Sequence, residues 1–234
     1  DQNGDDIPDS DPIVLLEGFG LEDSHSVANS LRWGPDGWMY ACQGSTTTGH
    51  LQRPGIDKEP TPSMGQLIWR YHPETRRYEI FAEGGGNTFG VESDTKGRIF
   101  SGTNGGNARG FHYVQGAYER KGFSKHGALS NPFAFGYFPT MKHHSVPRFT
   151  PNFIIYAGHT LPEKYHGRLF GIEPLQGQIV QSDIRPDTTT FQTRDIDRPI
   201  KCNDQWFRPV DIKVGPDGAV YFCDLYEQRI DHSS

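Results

Sequence analysis

The sequence of 234 residues predicts an all-β fold, and three observations support this prediction. It contains 28 Gly and 17 Pro, and 12% of its residues are aromatic, which suits short strands joined by many turns. No segment repeats apolar residues at the i, i+3, i+4, i+7 spacing of an amphipathic helix. The tetrapeptide Gly-Pro-Asp-Gly occurs at 34–37 and again at 215–218, each time before an apolar run.

Each of these tetrapeptides is predicted to be a tight turn that leads into a strand. Pro presets φ for the second position of a β-turn, and Asp and Gly tolerate the conformations that the next positions need. The residues that follow, 38–42 (WMYAC) and 219–223 (AVYFC), are aromatic and aliphatic, as in a largely buried strand. Cys42 and Cys223 hold equivalent places in these strands, so we expect both to be buried thiols.

A weaker form of the pattern repeats along the chain. The step Gly-x-aliphatic-aromatic recurs after 60, 70 and 51 residues, beginning at Gly37, Gly97, Gly167 and Gly218. A loose period of this size matches one four-stranded β-propeller blade with its loops. The segments 65–84 and 177–196 each contain a strand, a turn and a second strand. The sequence therefore predicts a β-propeller with about four blades of four antiparallel strands, each an inner strand after the turn followed by an outer hairpin.

The predicted domain is residues 1–234, a single and incomplete β-propeller. Four blades would leave strand edges exposed, so we expect the remaining blades of a six-bladed or larger propeller to lie elsewhere in a longer polypeptide. The interval 103–152, rich in Gly, Asn, His, Phe and Pro, is predicted to be a long loop insertion.

Composition excludes several classes of protein. The net charge of −6 is spread without a basic stripe, so no nucleic-acid partner is expected. No apolar run is long enough to cross a membrane, and no signal peptide precedes Asp1. The three cysteines lack CxxC spacing, which argues against a zinc ribbon, a thioredoxin-like motif and covalent haem attachment. A disulfide involving Cys202 stays open.

Three segments carry a resemblance to a known family: 84–116 (GGGNTFGVESDTKGRIFSGTNGGNARGFHYVQG), 131–150 (NPFAFGYFPTMKHHSVPRFT) and 206–221 (WFRPVDIKVGPDGAVY). They resemble the propeller of large secreted bacterial proteins called PVC-type membrane-bound dehydrogenases or haem-binding proteins. These are relatives of the soluble glucose/sorbosone dehydrogenases. The resemblance covers nearly the whole chain. It implies a sugar or aldehyde dehydrogenase-like oxidoreductase that is extracellular or periplasmic.

The resemblance also implies a cofactor and a general base. The related dehydrogenases use pyrroloquinoline quinone (PQQ), which lies with Ca²⁺ at the mouth of a six-bladed propeller. In the segment 25–36 (HSVANSLRWGPD), His25 resembles their catalytic base, one residue farther from the turn. A neutral imidazole suits this role because its ordinary pKa lies near 6.5. A cytochrome c module in the same full-length protein would be a partner for electron transfer.

Cofactor contacts are implied for Asn87, Asn104, Arg208 and Asp211. Arg208 and Asp211 match an Arg-Pro-x-Asp step within 207–218, although a structural salt bridge between blades explains this motif equally well. Gly86 stands where the family has an arginine, which removes a cationic donor to the quinone carboxylates.

The Gly/Asn-rich segment 103–113 is a candidate for substrate binding. It lacks the GxxxxGK pattern and a following helix, so a phosphate site is not favoured. We expect it to carry Asn107 and Arg109, beside Asn104, to a position where amide and guanidinium donors bind a sugar.

Two sets of polar residues suggest metal sites, and each set also has a simpler explanation. The N-terminal residues with alternating oxygen ligands either form a Ca²⁺ loop or are simply an acidic terminus exposed to solvent. They are Asp1, Asn3, Asp5 and Asp9. The histidines of 103–152 suggest a transition-metal cluster, but their spacing is irregular and favours a polar loop. They are His112, His126, His143 and His144.

The aromatic segment 131–141 (NPFAFGYFPTM) has two interpretations: a platform for sugar rings, or packing of a long loop onto the blades. Exposed rings would favour the platform. For the whole chain, the alternative to a dehydrogenase is a non-catalytic propeller that binds glycans or partner proteins, or that scaffolds an electron-transfer module.

Overall fold

The computed structural model describes residues 3–24, 26–45, 47–103, 108–122, 129–143 and 150–229. A 3₁₀ helix spans Glu163–Tyr165. The strands are β1 (Glu17–Phe19), β2 (Ala28–Trp33), β3 (Met39–Gln43), β4 (Gly49–Gln52), β5 (Thr61–Ser63), β6 (Leu67–His72), β7 (Arg77–Gly85), β8 (Thr88–Ser93), β9 (Ile99–Thr103), β10 (Phe111–Tyr113), β11 (Ala117–Lys121), β12 (Gly136–Tyr137), β13 (Lys142–His143), β14 (Phe153–Ile155), β15 (Leu169–Glu173), β16 (Gln178–Asp187), β17 (Thr190–Lys201), β18 (Pro209–Val214) and β19 (Val220–Asp224).

The strands form four consecutive blades, and the prediction of an all-β propeller is confirmed. The first blade is β2-β3-β6-β7 and the third is β14-β15-β16-β17, all antiparallel. Within the described residues, the second blade has three strands, β8-β9-β10, and the fourth has two, β18-β19. The next strand along the chain, β11, does not add to β10 but pairs in parallel with β7 of the first blade.

The interval 103–152 contains more regular structure than the predicted loop insertion. Its described residues include β10, β11, β12 and β13, of which β12 and β13 have two residues each. Strands this short leave little alternation in the sequence, which explains why the pattern missed them. The extent of the domain, 1–234, stays a prediction.

The repeated glycine marks the turn between the first and second strand of each blade. Its φ lies between 69° and 81° in all four copies, a region that glycine adopts readily. In the first and fourth blades the turn closes by hydrogen bonds from Gly37 N to Gly34 O (3.3 Å) and from Gly218 N to Gly215 O (2.9 Å). The turn chemistry was therefore predicted correctly.

The order of strands within a blade was predicted wrongly. The strand after the turn was expected to be the innermost one, but it is the second strand. The first strands of consecutive blades, β2, β8, β14 and β18, contact one another in that order. We call them the inner strands, because their mutual contact is what the axis of a propeller requires.

The core lies between facing blades as well as within them. One cluster joins the first and second blades and contains Tyr40, Cys42, Ile68, Phe81, Val91 and Phe111. A second cluster joins the second and third blades and contains Phe100, Met141, Phe153, Leu169 and Phe191. A third joins the third and fourth and contains Ile154, Tyr156, Phe170, Ile172, Ile179 and Ile212. Each blade is therefore stabilised by its neighbours.

The second strand of the fourth blade is much more exposed than its counterpart in the first. Tyr40 of β3 is 3% exposed, whereas Tyr221 of β19 is 56% exposed. Strand β3 pairs with β2 and β6, but within the described residues β19 pairs only with β18. For the same reason Cys42 is buried as predicted, while Cys223 is exposed and that prediction was wrong. All three cysteines are free thiols.

A buried ionic network joins the second and third blades around Arg109. Its Nε donates to Asp195 (3.1 Å) and its Nη1 donates to Thr150 Oγ1 (2.9 Å). The guanidinium also pairs with Glu173, and the side chains of Arg109 and Glu173 are both fully buried. Pairing with Arg109 offsets the cost of burying the Asp195 carboxylate. The pKa of Asp195 falls below its ordinary value, although burial alone would raise it.

Replacing Arg109 by methionine should destabilise the protein by about 3–5 kcal/mol, because the fully buried Glu173 would lose the cation that compensates its charge. Urea unfolding measures the change. The matched control is Arg185→Met, which removes an exposed guanidinium (68%) from Asp183 and should cost less than about 1 kcal/mol. Equal losses in the two variants would contradict the assignment.

The inner strands also hold a partly satisfied carboxyl group. Glu92 of β8 is buried, and its Oε1 lies 2.9 Å from Nη2 of Arg32 on β2. Its Oε2 has no hydrogen-bond partner within the described residues. Burial raises the pKa of Glu92 to about 7 and outweighs the opposing effect of Arg32.

The free energy of unfolding should therefore depend on pH through Glu92. Its pKa is higher in the folded protein (about 7) than its ordinary value of 4.5. The group thus contributes stability below pH 4.5, and this contribution is lost as the pH rises through about 7. The loss should be roughly 3 kcal/mol.

Unfolding titrations between these pH values should show that loss in the wild type and a much flatter profile in Glu92→Gln. Glu74→Gln, at an exposed turn, controls for the loss of one carboxylate. A Glu92→Gln profile as steep as that of the wild type would refute the assignment.

Candidate functional site

Polar residues stand at equivalent places just before the inner strand of each blade. They lie one or two residues ahead of β2, β8, β14 and β18 and are Ser26, Asn87, Asn152 and Arg208. Contacts connect the first three blades in series: Ser26 Oγ lies 3.3 Å from Asn87 Oδ1, and a Cβ added to Gly90 would lie 2.4 Å from Asn152 Oδ1. We call this end of the inner strands the strand-start end.

Asn87 is the predicted cofactor ligand with the best defined surroundings. Its Oδ1 accepts a hydrogen bond from Ser45 N (2.7 Å) and lies 3.3 Å from Ser26 Oγ. A Cβ at Gly44 would lie 2.3 Å from this oxygen, so the close approach requires glycine. Within the described part of the chain Nδ2 of Asn87 has no hydrogen-bond partner. The Asn87 amide is therefore held through its oxygen, and its nitrogen can donate a hydrogen bond to a ligand.

Three other predicted site residues, His25, Asn104 and Asn107, lie outside the described residues. Ser26, the next residue in the chain after His25, is described. Ser26 Oγ donates to Asp23 Oδ2 (3.1 Å) and its main chain accepts a hydrogen bond from Gly44 N (2.9 Å). Ser26 itself approaches Asn87.

Asp211 lies on β18 and contacts the third blade. Its carboxylate accepts a hydrogen bond from Asn152 Nδ2 and lies 3.0 Å from Lys213 Nζ. Its side chain is 42% exposed. The Oδ1 atom of Asn152 is buried without a partner in the described residues. Asp211 therefore lies on an inner strand, in contact with the third blade.

Arg208 is buried, and main-chain carbonyl groups surround its guanidinium. Nε donates to Glu227 O (2.9 Å) and Nη2 donates to Gln228 O (2.6 Å). Nη1 donates to Pro174 O of the third blade. The side chain therefore fastens the segment after β19 to the third blade, a structural role close to the alternative that the sequence left open.

Among the described residues, those predicted to bind a quinone offer no free cationic group to an anionic cofactor. PQQ carries carboxylates that require cationic donors. The guanidinium groups of Arg208 and Arg109 are buried and already paired, and Gly86 supplies no side chain. Burial also argues against a direct contact between Arg109 and a substrate. We therefore assign no reaction step to this cofactor.

The predicted N-terminal calcium loop is organised by its own hydrogen bonds. Asn3 Oδ1 accepts from Asp5 N (3.1 Å), and Asp5 Oδ1 accepts from Ile7 N (2.9 Å). Asp9 is exposed, and Asp1 lies outside the described residues. In the ranges that the structure describes, no three His, Cys, Asp or Glu side chains are placed to share a metal ion.

The histidines of 103–152 do not gather into a metal centre within those ranges. His112 is buried among the rings of Phe100, Phe138 and Phe191, and burial lowers its pKa to about 4. His143 Nδ1 lies 2.8 Å from Thr193 Oγ1. His126 and His144 lie outside the described residues. The two described histidines therefore belong to the packing between blades.

The sequence prediction missed the polar residues Ser26 and Asn152 and a basic cavity next to Gly86. The cavity has a volume of about 520 Å³, and its lining includes Thr103, Arg120, Lys142 and His143. A usable signal existed for the strand-start residues: Asn87 and Arg208 both stand ten residues before a turn glycine, and Ser26 stands eleven before one. No such spacing marks Arg120.

Comparison with solved structures shows the same fold in glucose dehydrogenases. An oxidoreductase from Thermus thermophilus described as a glucose dehydrogenase shares 20% identity, with a TM-score of 0.55 over 82% of this chain and 57% of that one. Two more structures described as glucose dehydrogenases share 17% identity with TM-scores of 0.54 and 0.56, covering 85% and 87% of this chain. The chain spans 61% of the length of both. At these identities the likeness establishes the β-propeller fold.

Three further findings bear on the class of protein. No helix among the described residues is long and apolar enough to cross a membrane. No curated protein matches the chain. A family model matches it from residue 1 to residue 234, and the protein therefore belongs to the family described as domain of unknown function DUF7133.

Proposed function

We propose that the chain is the propeller of a sugar or aldehyde dehydrogenase-like oxidoreductase whose substrate binds at the strand-start end. The observation that carries this proposal is the Asn87 amide. Its oxygen is fixed by Ser45, and its Nδ2 is left to donate beside the segment that holds His25. Fixed amide donors suit the hydroxyl or carbonyl oxygen of such a substrate.

In this proposal His25 is the general base. Its neutral imidazole would accept the proton of a substrate hydroxyl, and the hydride on the carbon that bears this hydroxyl would pass to a redox cofactor. Asn87 orients the oxygen that loses the proton, and Asp211 lies near enough to the axis to contact other hydroxyl groups. The resemblance to glucose/sorbosone dehydrogenases and the shared fold of glucose dehydrogenases support the reaction class. A cofactor supplies the redox chemistry when it is bound.

The remaining parts of the hypothesis follow from the resemblance alone. They are membership of the PVC-type group, an extracellular or periplasmic location, a cytochrome c module as electron-transfer partner, and the use of PQQ with Ca²⁺. The basic cavity next to Gly86, whose lining includes Arg120, would offer a guanidinium group to the carboxylates of such a cofactor.

The proposal predicts dye-linked oxidation of sugars or aldehydes that depends on His25. Activity is measured with an artificial electron acceptor, with and without added PQQ and Ca²⁺. His25→Ala should lower kcat about 100-fold or more, since a general base contributes at least that much. Asn87→Ala should mainly raise KM, because it removes a contact to the bound substrate.

The matched control is His50→Ala, at an exposed position of β4, which should leave the activity unchanged. Thermal unfolding of each variant separates loss of activity from loss of fold. Absence of both cofactor binding and dye reduction in the wild type, with every sugar and aldehyde tested, would refute the dehydrogenase hypothesis.

A second candidate function is a non-catalytic propeller that binds glycans or partner proteins, or that scaffolds an electron-transfer module. The pairing of Arg208 with main-chain carbonyls and the glycine at position 86 favour it, because both remove expected contacts to a quinone. Glycan-array binding or co-purification without redox activity would support this function, and a redox cofactor that co-purifies with the protein would contradict it.

A further inference from the structure

A cluster of exposed aromatic rings lies on a loop beside β7, the outer strand of the first blade. Phe133 is 84% exposed, Phe135 is 69% exposed and Tyr137 is 60% exposed. Single exposed rings are ordinary, but three within five residues form a patch that calls for a function. We call this patch, with the cavity beside it, the aromatic cavity.

The loop that carries these rings is held firmly by buried groups. Glu83 is fully buried, and its carboxylate accepts hydrogen bonds from Ser130 N (3.0 Å) and Asn131 N (3.1 Å). Lys121 Nζ lies 3.1 Å from the same carboxylate and compensates its charge. Asn131 Nδ2 donates to Ile80 O (3.1 Å), so the loop is fixed to the outer strand of the first blade.

The backbone next to the rings is fixed as well. Phe133 N donates to Asn131 Oδ1 (2.8 Å), and Phe135 N donates to Gly116 O (2.9 Å). A Cβ at Gly116 would lie 2.9 Å from the Phe135 ring, so this ring rests against glycine backbone. The rings are thus held in an exposed arrangement, which lowers the entropic cost of binding a ligand to them.

The aromatic cavity combines these rings with polar groups. Its volume is about 480 Å³, within the range of about 300–1,000 Å³ typical of small-ligand sites. Besides Phe133 and Phe135 its lining includes Thr61, Arg77, Glu79 and Gln115. Glu79 is held by Arg70 (2.7 Å) and also pairs with Arg77, whose side chain is mostly exposed. Donors and acceptors therefore surround the apolar faces.

This mixture fits a saccharide better than it fits the alternatives. A purely apolar ligand would dehydrate Arg77, Glu79 and Gln115 without replacing their hydrogen bonds. The edge of β7 left open to a peptide strand is short, because β11 pairs with it at Glu83 and Gly85 and Asn131 Nδ2 already donates to Ile80 O. A sugar ring offers C–H groups to the phenyl faces and hydroxyl groups to the polar side chains.

We propose that the aromatic cavity is a saccharide-binding site, separate from the strand-start end. Phe133 and Phe135 stack on sugar rings, and Gln115 and the pair Arg77–Glu79 bind hydroxyl groups. The site is built from the outer strand of the first blade and the loops at 114–116 and 131–135. It therefore recognises a glycan without taking part in the chemistry proposed for His25.

The test is isothermal titration calorimetry of the wild-type protein with cellohexaose, maltohexaose, xylohexaose and chitohexaose in turn. At least one should bind with an affinity that Phe133→Ala/Phe135→Ala lowers tenfold or more. Gln115→Ala should weaken the same binding several-fold, and Phe133→Trp should retain it. The control is Tyr226→Ala, which removes a similarly exposed ring (58%) from the segment after β19 and should leave the affinity unchanged.

Each outcome decides the proposal. Binding that persists in the double variant, or the absence of binding with all four oligosaccharides, would overturn it. The double variant should keep its thermal midpoint, since both rings are exposed, and it should keep any dye-linked activity. Binding can therefore fail while the dehydrogenase hypothesis stands, and the reverse also holds.

Discussion

The ionic network of Arg109 is the constraint on which the site depends. One guanidinium reaches Thr150 and two carboxylates of the third blade from a segment of the second. Thr150 in turn exchanges main-chain hydrogen bonds with Thr103 (2.8 and 3.0 Å). Since Asn152 follows two residues later and contacts Asp211, the network sets how the inner strands of the second, third and fourth blades meet at the strand-start end. A buried charge of this kind favours one arrangement of the blades, because any displacement would leave carboxylates unpaired.

Local rules made much of the fold predictable. The positive φ of Gly37 and Gly218 and the turn closure by their amides are what Gly-Pro-Asp-Gly specifies, so the repeat could be recognised from sequence alone. The period could not reveal which strand is innermost, because the turn recurs at the same interval whichever of its two flanking strands lies at the axis. The sequence repeat could not reveal the burial of individual side chains either. Cys42 and Cys223 occupy the same place in the repeat, yet within the described residues only Cys42 has a strand on each side of its own.

The sequence predicted where the candidate site residues lie better than it predicted what they contact. Asn87 lies where a residue before an inner strand should, and its neighbours leave one end of the amide able to donate. Arg208 lies at the equivalent place in the fourth blade, but a sequence does not reveal that carbonyl groups from 174 and 227–228 converge on its guanidinium. The exposure of Phe133 and Phe135 was likewise invisible, since it depends on where Glu83 and Asn131 fix the loop.

The contrast between β3 and β19 has a consequence for handling the protein. Within the residues that the structure describes, one edge of β19 is unpaired, and the exposed side chains of Tyr221 and Phe222 lie on this strand. Such an edge is a template for pairing with a strand of another molecule. Charged residues that usually blunt an edge are few here, since Asp224 is the only one in β19. Concentrated samples of these 234 residues should therefore associate through this edge, and Phe222→Lys would be a direct way to keep them apart.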